Sequence, residues 1–220
     1  MATPLDLQEQ EQVDALKAFW QRYGNLITWV LVAVLGAFAA WNGWQLYHRK
    51  QAEQAGAMFD ELDRAAAAAD ADKVARVFAD LKERYPRTVY AQQAGLVAAK
   101  VLIDKGKPDD ARATLTWVAD SGRHEDLSAL ARLRLAGVLL DAQKYDEALA
   151  QLDATKLGGF AALGADRRGD VLVAQGRSAD AVAAYQSAWK GLPESLDYRR
   201  LVEAKLTALG AAPAASGAGK

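Results

Sequence analysis

Residues 143–152 read QKYDEALAQL, and two further segments align with them without gaps around a central alanine: GKPDDARATL from Gly106 and GRSADAVAAY from Gly176. The three alanines, Ala111, Ala148 and Ala181, are separated by 37 and 33 residues. Each segment follows an apolar helical stretch: VYAQQAGLVAAKVLIDK, SALARLRLAGVLLDA and AALGADRRGDVLVAQ. The repeating unit is therefore helix, tight turn, helix. Such units cannot bury their apolar faces alone and do so by stacking on their neighbours.

The residue types suit that packing. Two antiparallel helices approach closely only where small side chains meet at the crossing and larger apolar ones interlock beside it. The first unit offers Ala99, Leu102, Ala111 and Leu115, and the second Ala136, Leu139, Ala148 and Leu152. In the third, Gly169, Ala181 and Ala188 are small, Leu172 and Tyr185 are large, and Pro193 ends the second helix. The pattern resembles the tetratricopeptide (TPR) repeat, whose period is about 34 residues. It departs from that repeat at Arg132 and Ala165, where an aromatic is usual, and at Val118 and Thr155, where a small residue is usual.

Working outward, DADKVARVFADLKERYP from Asp70 reads as a divergent fourth unit, with Val74 lying 37 residues before Ala111 and residues 51–69 supplying its first helix. At the other end, SLDYRRLVEAKLTAL from Ser195 forms an amphipathic capping helix, with Leu201, Val202, Leu206 and Leu209 expected inward. Residues 210–220 read as a flexible tail. Strand signals are nearly absent, so the expected fold is all-α: an N-terminal transmembrane helix followed by a TPR-like α-solenoid over residues 48–209.

The membrane helix is read from YGNLITWVLVAVLGAFAAWNGWQLY, residues 23–47, which carries no charge. Its 22 residues from Leu26 onward span about 33 Å as helix, enough to cross a hydrocarbon core of about 30 Å. Trp29 near one end and Trp41, Trp44 and Tyr47 near the other suit the headgroup level, and His48, Arg49 and Lys50 reach for headgroups beyond them. Ala37 and Ala39 also form the A-x-A pair of a signal-peptide cleavage site, but the acidic leader is unlike a signal n-region. A buried core helix would not be apolar on every face over such a length. The leader, residues 1–22, is read from LDLQEQEQVDALKAFWQRYG after Pro4, which places Val13, Leu16, Trp20 and Tyr23 at helical spacing; this is an amphipathic helix on the membrane surface or a solvated helix running straight into the span. Lys17 and Arg22 on one side balance Arg49 and Lys50 on the other, so charge does not orient the span.

Composition excludes several functions. The whole chain has 27 basic against 28 acidic residues, without the basic excess of a nucleic-acid binder. It has no cysteine and two histidines, His48 and His124, leaving little material for metal or acid–base chemistry. Ser121, His124 and Asp126 lie in a connector, and proximity in sequence is not a catalytic triad. Lys105–Gly106–Lys107 lacks the surroundings of a phosphate loop. No enzyme activity, cofactor, metal or small-molecule substrate is expected. Arg132, Arg134, Arg167 and Arg168 lie on first helices, and Arg132 and Arg167 are the candidate groove residues for an acidic or extended peptide; solvated helix surface is the competing reading.

Taken together, EQEQVDALKAFWQRYG, the span ending in WNGWQLYHRKQAEQA, and the Ala-rich repeat domain resemble the YfgM family of ancillary SecYEG translocon subunits. The resemblance implies a bacterial inner-membrane, single-pass protein with a cytoplasmic amino terminus and a periplasmic helical domain. It also implies association with SecYEG and the membrane-anchored chaperone PpiD, and a part in passing translocated proteins to periplasmic chaperones. An influence on the response regulator RcsB is likewise ascribed to the family. The alternative is a membrane-anchored TPR scaffold for cell-envelope or cell-division assemblies independent of the translocon.

Overall fold

The structure, a computed structural model, describes residues 7–121 and 123–213. Among these are nine α-helices and no strand, and the fold is all-α and TPR-like. In chain order they are α1 (Leu7–Ala67), α2 (Ala71–Arg84), α3 (Val89–Asp104), α4 (Pro108–Asp120), α5 (Glu125–Asp141), α6 (Tyr145–Gln151), α7 (Ala161–Ala174), α8 (Ser178–Gly191) and α9 (Tyr198–Ala208). The chain divides into two compact units, Met1–Gln51 and Ala52–Lys220.

In the first unit α1 carries residues 7–22 of the leader and the span without a break, since nothing from Leu7 to Gln51 interrupts helical geometry. Val13, Leu16, Trp20 and Tyr23 are exposed along the leader, and the large apolar side chains of the span are exposed on every side. Two polar side chains within the span bond to their own helix. The Thr28 hydroxyl donates to the Gly24 carbonyl at 2.8 Å, and the Asn42 amide donates to the Phe38 carbonyl at 2.9 Å, as a bilayer without hydrogen-bonding solvent requires.

The second unit is built on one recurring turn. Gly106, Gln143 and Gly176, the first residues of the three aligned segments, all adopt the left-handed conformation, with φ of 71°, 59° and 76°. Around each, the following N–H reaches back five residues: Lys107 to Leu102, Lys144 to Leu139 and Arg177 to Leu172, each at 2.8 Å. This is the Schellman closure of a helix C-terminus. The same closure stands at Ala69 (φ 53°), where Asp70 N–H reaches Ala65, and it places Val74 in register with Ala111, Ala148 and Ala181. Asp70 then caps α2 by accepting from Lys73 N–H at 3.0 Å, and Thr88 caps α3 in the same way. Four helix pairs result: residues 52–67 with α2, α3 with α4, α5 with α6, and α7 with α8.

Buried side chains run through this stack in three clusters. One joins residues 55–65 to α2 and α3 around Leu62, Val74, Phe78 and Leu81. The second runs from α3 to α7 through Leu115, Val118, Leu135 and Leu139. The third holds α7, α8 and α9 through Leu172, Tyr185, Val202 and Leu206.

Two features differ from the sequence expectation. Second helix α6 has 7 residues where α2, α4 and α8 have 14, 13 and 14. The chain instead passes through 3₁₀ turns at Ala154–Lys156 and Gly158–Phe160, and Leu157 plugs the core against Gly164, where a side chain would collide with it. In α9, Val202 and Leu206 are buried and Leu209 half-buried, but Leu201 is exposed because it lies about 100° around the helix from Val202. Where Ala99, Ala136 and Gly169 are buried, α9 carries exposed Glu203, so it closes on the same turn (Gly210, φ 73°) without a surface for another second helix.

Candidate interaction surface

The first helices of the pairs lie side by side, with α3 touching α5 and α5 touching α7. Two cavities open on the face they share. One, of about 540 Å³, is walled by Phe59 and Ala66 of α1, Leu96, Val97 and Val101 of α3, and Arg134 of α5. The other, of about 650 Å³, is walled by Ile103, Leu130, Leu133, Leu163 and Leu196, with Arg134 again, Arg167 and Tyr198. Ile103 and Leu196 are each 44% exposed there, apolar surface left open by the described residues of the second unit.

Arg134 stands where both cavities meet. Its Nη1 donates to the Leu96 carbonyl at 3.0 Å, and among the described residues it forms no ion pair. Arg167 reaches the same face and lies 3.6 Å from Asp170. Arg132 is placed elsewhere: two positions from Arg134, it points about 200° around the helix. There it donates to the Ala119 carbonyl at 2.9 Å and to Gln151 at 3.0 Å, satisfying the last turn of α4. Sequence spacing puts the two arginines on opposite sides of α5 but does not say which side faces the cavities, because α5 is apolar on nearly every side.

The end of this face is held by a buried polar cluster. Asp166 is 1% exposed and accepts from the Tyr198 hydroxyl at 2.6 Å and from Lys205 Nζ at 2.8 Å. Lys205 also reaches Asp170 at 2.7 Å, and the Tyr185 hydroxyl donates to Asp170 at 2.8 Å. Burial, then the hydrogen bond each gives to a carboxylate, pushes the Tyr185 and Tyr198 phenols well above the ordinary tyrosine range. The cluster pins α9 to α7 and sets Tyr198 into the cavity wall.

The remaining sequence candidates fall as follows. Ala99, Ala111, Ala136, Ala148 and Ala181 are fully buried, Gly169 lies against the Tyr185 ring, and Pro193 follows α8 by two residues. Trp29, Trp41, Trp44, Tyr47, Arg49 and Lys50 are exposed on α1, where the Trp44 and His48 rings meet edge to face at 4.6 Å. Ser121 donates to the Val118 carbonyl at 2.9 Å, and the described side chains form no relay with His124 or Asp126.

This architecture, a lone apolar helix followed by TPR-like pairs, is matched by the tetratricopeptide repeat-like domain family over residues 17–211. An ancillary SecYEG translocon subunit of Neisseria gonorrhoeae is 32% identical over 207 residues, covering 92% of this chain and 98% of that protein. The chain belongs to the YfgM family. Proteins of the same description from Escherichia coli (28% identical; 83% of this chain, 87% of that one) and Haemophilus influenzae (29%; 82% and 87%) are also similar. Membership makes this a single-pass membrane protein with a TPR-like interaction domain. Sequence reasoning did not single out Arg134 from its neighbours, and it missed the shortened α6.

Proposed function

We propose that this YfgM-family protein is an ancillary subunit of the SecYEG translocon, anchored in the inner membrane by residues 23–47, with the leader of residues 1–22 cytoplasmic and the repeat domain periplasmic. Its role is to receive newly translocated chains on the first-helix face and pass them to periplasmic chaperones such as PpiD. The uncovered apolar cavities on that face carry this reading, because a chain leaving a translocon is unfolded and offers apolar side chains. Tethering raises local concentration, so weak binding suffices. The relatives' description as translocon subunits supports the choice of complex.

A carboxyl-terminal alkaline phosphatase fusion combined with a photocrosslinking residue at Leu133 tests it. The fusion is expected to be active, and crosslinks should join Leu133 to translocating chains or PpiD, with SecY copurifying in mild detergent. An inactive fusion sinks the periplasmic placement, and recovery of division proteins in place of SecY favours the envelope-scaffold alternative.

A further inference from the structure

We propose that the first-helix face selects extended segments in which one acidic side chain lies between two apolar ones, and that Arg134 is the residue that reads the acid. This rests on the face being a receiving surface for unfolded chains, and it adds a chemical preference to it.

The two cavities supply the apolar subsites and Arg134 sits between them. A guanidinium has five N–H donors in a fixed plane. The bond from Nη1 to the Leu96 carbonyl fixes that plane on α3 and leaves donors for a ligand, to which a carboxylate presents two acceptors. Two of the three other cations that line these cavities are paired. Lys100 pairs with Asp104 at 2.6 Å and Arg167 lies beside Asp170. Around the first cavity the balance is positive, with Lys100, Lys105 and Arg134 against Asp104 alone. Asp141, in the second cavity, repels a second acid. The face is thus matched to a single acid placed at Arg134 and to neutral apolar side chains on either side.

Spacing follows from the geometry of an extended chain. Its side chains alternate between two faces and it advances about 3.3 Å per residue, so an acid and two apolar anchors share the docking face only at alternate positions, apolar–x–acid–x–apolar, a reach of about 13 Å.

The test is fluorescence anisotropy on the full-length protein in phospholipid nanodiscs, using labelled ten-residue peptides centred on Leu-Ser-Glu-Ser-Leu, Leu-Ser-Gln-Ser-Leu or Leu-Ser-Lys-Ser-Leu. The glutamate peptide should bind about fivefold more tightly than the glutamine peptide at low salt, with the gap closing as salt rises and the lysine peptide weakest. Arg134→Gln should make the glutamate and glutamine peptides equal, and Arg134→Lys should retain part of the preference. Ile103→Ser should weaken all three alike. Because each comparison is made within one variant, loss of stability cannot mimic the result. Equal binding of the glutamate and glutamine peptides to the wild-type protein, or a preference that survives Arg134→Gln, overturns the proposal. Absence of any peptide binding while SecY still copurifies also overturns it, and leaves translocon association standing. Loss of SecY from the wild-type eluate counts against the broader reading instead.

Discussion

Gly137 and Gly169 occupy interior positions of first helices, and the same substitution should have opposite effects at them. A methyl group at Gly137 meets no atom within 4 Å, whereas at Gly169 it overlaps the Tyr185 ring, which its hydroxyl anchors to Asp170. Gly137→Ala is therefore expected to raise stability by about 0.5–1 kcal/mol through helix propensity. Gly169→Ala should lower it by about 1–3 kcal/mol, because overpacking against an anchored ring outweighs that gain. Urea midpoints of the two variants check both signs, and a stabilised Gly169→Ala would show that the ring yields. At this scale the sequence was read well where steric need selects residue type, as with Gly169 and the buried alanines. It was read poorly where direction matters. Arg132 and Arg134 share type and helix but point about 200° apart, and only the neighbouring helices, α4 at Ala119 and α3 at Leu96, show which of them is on the open face.

Among the elements, the left-handed turn explains both what the sequence disclosed and what it concealed. Two of the four paired turns use glycine, while Gln143 and Ala69 adopt φ of 59° and 53° with a β-carbon. That conformation costs a non-glycine residue about 1–2 kcal/mol. Gln143→Gly should gain about 1 kcal/mol net of the extra chain entropy it gives the unfolded state, and Gly106→Ala should lose a similar amount. Thermal unfolding of the two variants measures this, and a Gln143→Gly variant no more stable than wild type would mean the side chain earns its place by other contacts. Ala69 has no residue type that announces a turn. Only its spacing of 37 residues from Gly106 placed it, so the fourth unit was legible by register rather than by composition. The early end of α6 had a weaker sign in Gly158 and Gly159 after Leu157. A helix that stops because a later loop residue fills the core depends on a long-range contact, and periodicity does not carry that information.

For the whole repeat domain, stability is a chain of neighbour contacts, so its ends matter most. The carboxyl end is fixed by α9, whose attachment to α7 combines the apolar pair Val202 and Leu206 with the Asp166–Lys205 ion pair. Removing Lys205 leaves a carboxylate at 1% exposure with the Tyr198 hydroxyl as its remaining side-chain partner. Lys205→Met should then destabilise the domain by about 3 kcal/mol, while Asp166→Leu combined with Lys205→Met should recover much of that loss, because the pair's burial is costly in itself. The phenols add a pH signature. Both are held protonated in the fold beyond the point, about pH 10, where they ionise in the unfolded chain. Their contribution is complete below that pH and declines as pH rises above it. Tyr185→Phe with Tyr198→Phe should flatten this alkaline loss. Hydrogen exchange supplies the spatial readout: in Lys205→Met the amides of α9 and then α8 should open first, with α3 and α4 unchanged. Uniform opening from α2 to α9 would mean that the array melts as one unit and that the buried pair is not a local fastening of its end.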